Sequence, residues 1–411
     1  MHNRRVLLVV SLLLLLPAAA VRANGFYIQE FSGRGIAQGG ATIADPGEAS
    51  AVYFNPAMLP MMDRDFNLML GVTTYFPDAT YEDPSDGEKV DAADDPAPAP
   101  FAFVSYRPIE GLAIGVGAYT RFGLPVKWPG EWDGYHIISE VKLESSTLSV
   151  AAAYSIFDWI SLGVSFDTTF GAVDLKRGLD FGPEWGTFRV GGSAVGFSAS
   201  AGVFSRPLDW LAIGVTYHGP TVMKLEGAKA DFTVPNRFDT MFPDQQTDIS
   251  ITLPDVIGVG IRVWPHETLS LELDVVQVQW HHFDELEFEF DKGLGDPPLK
   301  SQVEPQDWHD ALQVRLGANW NTPLEGLSAR LGFIYDGSCI PEHRVNPMLP
   351  DNHRFDVGAG LGYSVWHLTF DVGYLFVYFL PREVGDNDEN SFPAKYTNIS
   401  HVLVGSVSFS Y

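Results

Sequence analysis

Few groups in this 411-residue chain could make or break covalent bonds. His281 and His282 stand side by side with Asp284 and Glu285 just beyond, the residue mix of a zinc or calcium site. Neighbours on a strand point to opposite faces, so two adjacent histidines there cannot share one ion. The sequence is read instead as a solvated loop end, and no metal site is assigned. Cys339, the one cysteine, excludes an internal disulfide and any multi-cysteine zinc cluster. Gly33-Arg34-Gly35 lacks the preceding strand that a phosphate loop needs. No Gly-x-Ser-x-Gly elbow marks a serine hydrolase, which leaves only a spatially assembled Ser/His pair as an enzymatic alternative. Neither a catalytic residue nor a cofactor is assigned. What remains is binding chemistry, carried by arginines and aromatics that some fold must aim at one space.

Composition narrows that fold. Lys and Arg number 26 against 52 Asp and Glu, a formal charge of −26, so nucleic acid is excluded as a partner. A mean hydropathy of +0.01 is too low for a bundle of membrane helices. One apolar run exists, at the start: Arg4 and Arg5, then Val6 to Leu16, then Pro17 and the small residues Ala18 to Ala23. This eleven-residue run, apolar but for Ser11, falls short of the roughly 20 residues that span a bilayer. Residues 1–23 are expected to be a secretory signal peptide cleaved near Ala23. The mature chain then carries 23 positive residues against 52 negative, or −29.

Beyond residue 63 the dominant pattern has period two. Leu162, Val164, Phe166 and Phe170 alternate with Ser161, Ser165, Asp167 and Thr169, and Leu148, Val150, Tyr154 and Ile156 with Ser145, Thr147 and Ser149. Leu269, Leu271 and Leu273 alternate with Ser270, Glu272 and Asp274. A sandwich turns such an apolar face inward, whereas an outer-membrane barrel turns it toward lipid. Length favours the barrel, since soluble strands average about 5–6 residues and barrel spans need about 9–11. Some fourteen segments are long enough, from 64–76 to 399–411. Their connections alternate between short turns, such as 108–111, 157–159 and 206–209, and long loops, such as 77–99, 174–187 and 284–307. Short inner turns and long external loops are the barrel arrangement. Trp159, Trp210 and Trp264 recur at the short turns, where an interfacial girdle sits. The final strand ends on Tyr411. The expectation is an all-β, transmembrane antiparallel β-barrel of about 14 strands over residues 64–411, in the outer membrane, and a monomer.

Residues 24–63 break the pattern. Phe26, Tyr27, Ile28, Phe31, Tyr53 and Phe54 are too apolar for a disordered tail, so a hatch plugging the lumen is expected. Three pieces then become specific: Gly25-Phe26-Tyr27-Ile28-Gln29-Glu30-Phe31-Ser32-Gly33-Arg34-Gly35, Ala41-Thr42-Ile43-Ala44-Asp45, and Tyr53-Phe54-Asn55-Pro56-Ala57. Together they resemble the N-terminal hatch of the FadL/TodX family, outer-membrane transporters of long-chain fatty acids and other hydrophobic compounds. Further matches follow in order, at Trp132 with Gly134-Tyr135, Thr252-Leu253-Pro254-Asp255, Phe283-Asp284-Glu285-Leu286 and Leu349-Pro350-Asp351-Asn352. The resemblance implies a fourteen-stranded barrel, capture of the ligand by external loops, a pocket in the lumen, and lateral release where a kink in the third strand opens the wall. Gly115, Gly117, Gly123 and Pro125 are the candidates for such a kink, because Gly and Pro weaken strand pairing.

A fatty acid needs an apolar slot and a cation. Parity aims Arg121 and Arg315 at the lumen, and Phe26, Ile28, Phe31 and Phe54 supply apolar surface. A neutral hydrocarbon remains an alternative ligand; a general porin and a barrel lipid hydrolase are the rival functions. The acidic surplus gathers in loops, seven acids in 82–95 and nine in 284–310. These residues are expected to keep the loops solvated, with divalent-cation bridging to lipopolysaccharide as a second role.

Overall fold

The computed structural model describes residues 25–130, 132–385 and 392–411; the expected signal peptide lies outside them. One antiparallel sheet closes on itself as a fourteen-stranded barrel. Its strands are β1 (Phe66–Glu82), β2 (Ala97–Ile109), β3 (Leu112–Tyr119 and Gly123–Lys127), β4 (Glu140–Phe157), β5 (Ile160–Asp180), β6 (Trp185–Leu208) and β7 (Leu211–His218 and Thr221–Thr233). They continue as β8 (Gln245–Leu253 and Asp255–His266), β9 (Leu269–Gln279 and Glu285–Leu294), β10 (Leu299–Pro305 and Ala311–Asn321), β11 (Leu327–Asp336), β12 (Arg354–Val365), β13 (Leu368–Phe379) and β14 (Ala394–Ser410). β1 and β14 join in an unbroken ladder from Asn67–Ser410 to Glu82–Lys395, so the barrel presents no free edge at its seam.

Side-chain alternation runs the way lipid demands. Phe166 is 54% exposed while its neighbour Asp167 is 1% exposed, and the same inversion holds for Leu162, Val164 and Phe170 against Ser161, Ser165 and Thr169. Trp159, Trp320 and Trp366 stand exposed beside short turns, forming part of an aromatic girdle at that end. The turn at Gly111 needs its positive φ of +79°, which a side chain would resist.

The long loops are shorter than the sequence pattern suggests. β5 and β6 run on as a ladder to Asp180–Trp185, so most of the expected loop 174–187 is strand. The expected loop 284–307 is likewise a hairpin, pairing Glu285–Pro305 to Glu289–Ser301. Charged outward residues above the apolar belt, such as Asp174, Lys176 and Arg189, hide these extensions from a search for alternation. His281 and His282 lie on a 3₁₀ turn (Trp280–His282) and not on a strand, with ring centroids 4.1 Å apart. They pair separately, His281 with Asp310 at 2.7 Å and His282 with Asp255 at 3.1 Å.

Residues 25–63 form no strand. They hold two short helices, α1 (Gly33–Ala37) and α2 (Ala51–Phe54), and a 3₁₀ turn, Pro56–Met61. Inward-facing glycines of seven strands receive this segment, six of them against its backbone. A Cβ on Gly163 (β5) would lie 2.4 Å from Ala57 N, one on Gly214 (β7) 2.1 Å from Ile43 O, and one on Gly332 (β11) 1.9 Å from Gly39 N. Gly317, Gly358 and Gly373 meet the segment in the same way on β10, β12 and β13, and Gly202 on β6 meets the Asn55 side chain. Gly332→Val should therefore overpack this contact at a cost of about 1–3 kcal/mol. The check is a lower urea midpoint in phosphatidylcholine vesicles; an unchanged midpoint would show that the segment does not press on that wall.

Candidate functional site

The barrel's inner wall carries charges that need partners, and the N-terminal segment supplies many of them. Asp274 of β9 accepts the backbone N–H groups of Thr42 (2.8 Å) and Ile43 (3.1 Å), and Glu272 accepts that of Ala44 (2.7 Å). Arg262 of β8 bridges Asp45 at 2.9 Å and Glu272 at 2.6 Å, with Arg34 holding the other side of Asp45 in a two-pronged contact. Burial alone would raise the Asp45 pKa, but attraction to Arg262 and then Arg34 outweighs it and holds the carboxyl well below the ordinary range. On other walls Arg107 of β2 donates to Pro60 O and Met62 O, and Ser406 of β14 accepts from Gly33 N.

Asn55-Pro56-Ala57 is a clasp. The Asn55 amide donates to Ile43 O and to Val203 O of β6, both at 3.1 Å, while its oxygen caps the 3₁₀ turn through Ala57 N at 3.1 Å. Pro56 occupies the first turn, where a missing N–H costs nothing. The Ala57 carbonyl accepts from Ser161 of β5. One side chain thus joins two stretches of the segment to the wall.

The third strand is broken. β2 and β3 pair only as far as Ala102–Ala118, and the upper half of β3 resumes on β4 at Gly123–Glu144. Across the break, residues 97–101 of β2 have no ladder partner on β3. The N-terminal segment takes up the freed backbone: Ile28 N donates to Arg121 O (2.8 Å), and Gly123 N to Phe26 O (3.1 Å). Gly115 and Gly117 lie below the break in regular ladder, against Val52 and Leu59 of the segment and against Phe103. Gly123 and Pro125 lie just above it.

Phe26, Ile28 and Arg121 therefore meet at the break, whereas Phe31 and Phe54 join a lower aromatic cluster with Tyr53 and Tyr119. Phe26 also packs edge-on against Trp280 and Phe283 and at a tilt against Trp308. The two arginines differ. Arg315 is committed to the segment, donating to Gly40 O at 3.2 Å and to the Gln29 side chain. Arg121 is 1% exposed, lies over the Phe122 ring and, among the described residues, donates only to Pro254 O, at 3.5 Å. Among the described residues no ion pair satisfies it and its Nε has no hydrogen-bond partner. A small apolar cavity of about 20 Å³ lies beside the neighbouring Phe122, lined also by Leu143, Val173, Met223, Leu225, Ile251 and Leu253, with Ser145 the polar member.

One constellation escapes sequence reading because its members lie on three strands. Ser200 Oγ donates to Asp167 at 2.9 Å and contacts His218 Nδ1 at 3.0 Å, and Tyr53 stacks on His218. The serine sits between acid and imidazole, so histidine is not oriented by the carboxylate as a Ser-His-Asp triad requires. The cluster ties the wall to the N-terminal segment.

Asn55→Ala should remove the hydrogen bonds to Ile43 O, Val203 O and Ala57 N, the first and last of them buried, and cost about 1–3 kcal/mol. Limited proteolysis should cut between residues 25 and 63 faster in this variant than in the parent; equal rates would contradict the clasp.

Comparison with known proteins agrees with this geometry. Residues 14–411 match the family model described as outer membrane protein transport protein (OMPP1/FadL/TodX). The long-chain fatty acid transport protein of Salmonella typhi is 24% identical over 392 residues, covering 86% of this chain and 87% of that protein. A Pseudomonas aeruginosa FadL homologue superposes with a TM-score of 0.84 at 17% identity, over 94% of this chain and 100% of the other. The Pseudomonas putida toluene transporter TodX gives 0.74 at 15% identity, over 96% and 100%. With a family match across nearly its whole length and a closed barrel holding an inner N-terminal segment, this chain belongs to the OMPP1/FadL/TodX family of outer membrane transport proteins.

Proposed function

We propose that this protein imports long-chain hydrophobic acids across the outer membrane of a Gram-negative bacterium, without covalent chemistry. Residues 25–63 act as a hatch that closes the lumen to water-filled diffusion. The ligand binds beside the β3 break, where the flexible Met223 and its apolar neighbours move apart to widen the cavity of about 20 Å³, with its carboxylate on Arg121. It leaves sideways between β2 and β3 into the outer leaflet. Maturation by cleavage near Ala23 and a monomeric state complete this reading.

Arg121 is the observation that carries it. A buried guanidinium without an anion is costly, and a bound carboxylate would remove that cost with charge-assisted hydrogen bonds. Such a position serves a ligand better than it serves the fold. A neutral hydrocarbon is the second reading, favoured by a cavity whose lining is apolar apart from Ser145.

Arg121→Met keeps the side-chain bulk and removes the charge. It should weaken binding of oleate to the purified protein by about 10- to 100-fold, on the strength of hydrogen bonds to charged groups. Arg121→Lys should recover part of that loss, and hexadecane binding should change little. Equal loss for oleate and hexadecane would place Arg121 in a structural role; no loss for either would remove it from the site.

A further inference from the structure

The wall has a second discontinuity, a third of the way round the barrel. β6 pairs with the lower half of β7 from Leu208–Leu211 to Ser200–His218, and with the upper half only from Gly191–Lys229 to Thr187–Thr233. Between these ladders, residues 192–198 of β6 and 220–228 of β7 have no partners across the seam. Each strand keeps its other neighbour there, β6 on β5 and β7 on β8. The cause is legible in Gly219-Pro220: Gly219 N makes the last bond, to Ala199 O at 2.9 Å, and Pro220 has no N–H to continue.

Above that point β7 steps inward. A Cβ on Gly196 would lie 2.8 Å from Val222 O, and one on Gly192 2.9 Å from Ala228 Cβ, so β7 lies partly behind β6. Ser198 Oγ and Thr221 Oγ1, buried at the lower end of the seam, have no hydrogen-bond partner among the described residues. The step leaves an external crevice of about 600 Å³, bordered by Phe170, Ala172, Val195, Lys224 and Glu226. Just above Phe170 and Val195 come the ion-paired Asp174 and Arg189, so the crevice sits where the apolar belt meets its charged rim.

The crevice and the inner cavity share four wall residues, Ser145, Gly171, Ala172 and Ala194. Three of them form a cross-strand row, Ser145 opposite Gly171 and Gly171 opposite Ala194. That row begins at the β3 break, where Ser145 Oγ bonds both the N–H and the carbonyl of Phe122. A track with no side chain larger than serine therefore leads from the β3 break to the β6–β7 seam. Met223 covers it: a Cβ on Gly171 would lie 2.6 Å from Met223 Cε. An unbranched, flexible thioether is suited to moving aside.

We propose that the β6–β7 seam is a second lateral port. A long-chain hydrophobic molecule passes through it between the inner cavity and the outer leaflet, with Met223 as the moving cover. The charged rim keeps a polar end at the interface while the chain slides past Ala194 and Val195. This rests on reading the protein as an importer of such molecules.

The test is saturable uptake of radiolabelled oleate by cells whose only importer is this protein, alongside oleate binding to the purified variants. Gly171→Leu fills the track and displaces only a flexible side-chain end, so it should lower uptake at least about threefold and by more than it weakens binding. Uptake by Gly171→Leu equal to the parent's, or reduced only in step with binding, overturns the port and leaves the import reading intact. No saturable oleate uptake by the parent overturns both. A measurement on the unmodified protein guards against misfolded variants: a sixteen-carbon acid with a terminal diazirine, bound before reconstitution into phosphatidylcholine vesicles and then irradiated. Adducts on Met223 and Val195 should exceed those on the lipid-facing Leu162 and Val164 at least about fivefold; equal labelling of all four contradicts the port.

Discussion

The inward-facing charges of the barrel are the constraint on which the rest depends. Arg262, Glu272, Asp274 and Arg315 are buried on the wall. In a wide barrel water would solvate them, but here backbone groups and side chains of residues 25–63 do so. Breaking a buried pair by removing one partner costs several kcal/mol, because the other charge is left stranded. Wall and segment are thus mutually obligatory. The glycines on seven strands follow from this, since the segment must come within hydrogen-bond reach of the wall.

Openings in such a wall come at the expense of ladder hydrogen bonds, which need substitutes in an apolar surround. At β3 the substitutes come from Phe26 and Ile28 of the segment. At the β6–β7 seam β7 tucks behind β6, and Gly192 and Gly196 make the overlap sterically feasible. Both breaks lie on one cross-strand level, joined by Ser145, Gly171 and Ala194. The apolar cavity lies behind that level, and this is why a sideways path is more natural than an axial one.

Much of the barrel is legible in the sequence because lipid imposes a strict period of two. Leu162 to Phe170 could not be read otherwise once strand length and the alternation of short and long connections are set beside them. The strand ends are not legible: past Phe170 the outward residues turn polar, so alternation fades while the ladder to Asp180–Trp185 persists. Neither are the breaks in β7 and β8, which depend on Pro220 and Pro254 in segments that otherwise alternate. For the candidate site, parity aims Arg121 and Arg315 inward but says nothing of their partners. Arg315 meets Gln29 and Gly40, 286 and 275 residues away in sequence, while Arg121 meets only a distant carbonyl. That difference between a tether and an available cation exists only in three dimensions, as does the Asp167-Ser200-His218 cluster.

The central claim is that the lumen is closed along its axis and that hydrophobic cargo must leave through the wall. Conductance of the full-length protein in a planar lipid bilayer tests it most directly. The account predicts that insertion of the intact barrel produces no steady ion current in potassium chloride, at either polarity. A stable, voltage-independent conductance from the intact protein would mean an open aqueous channel and would contradict it.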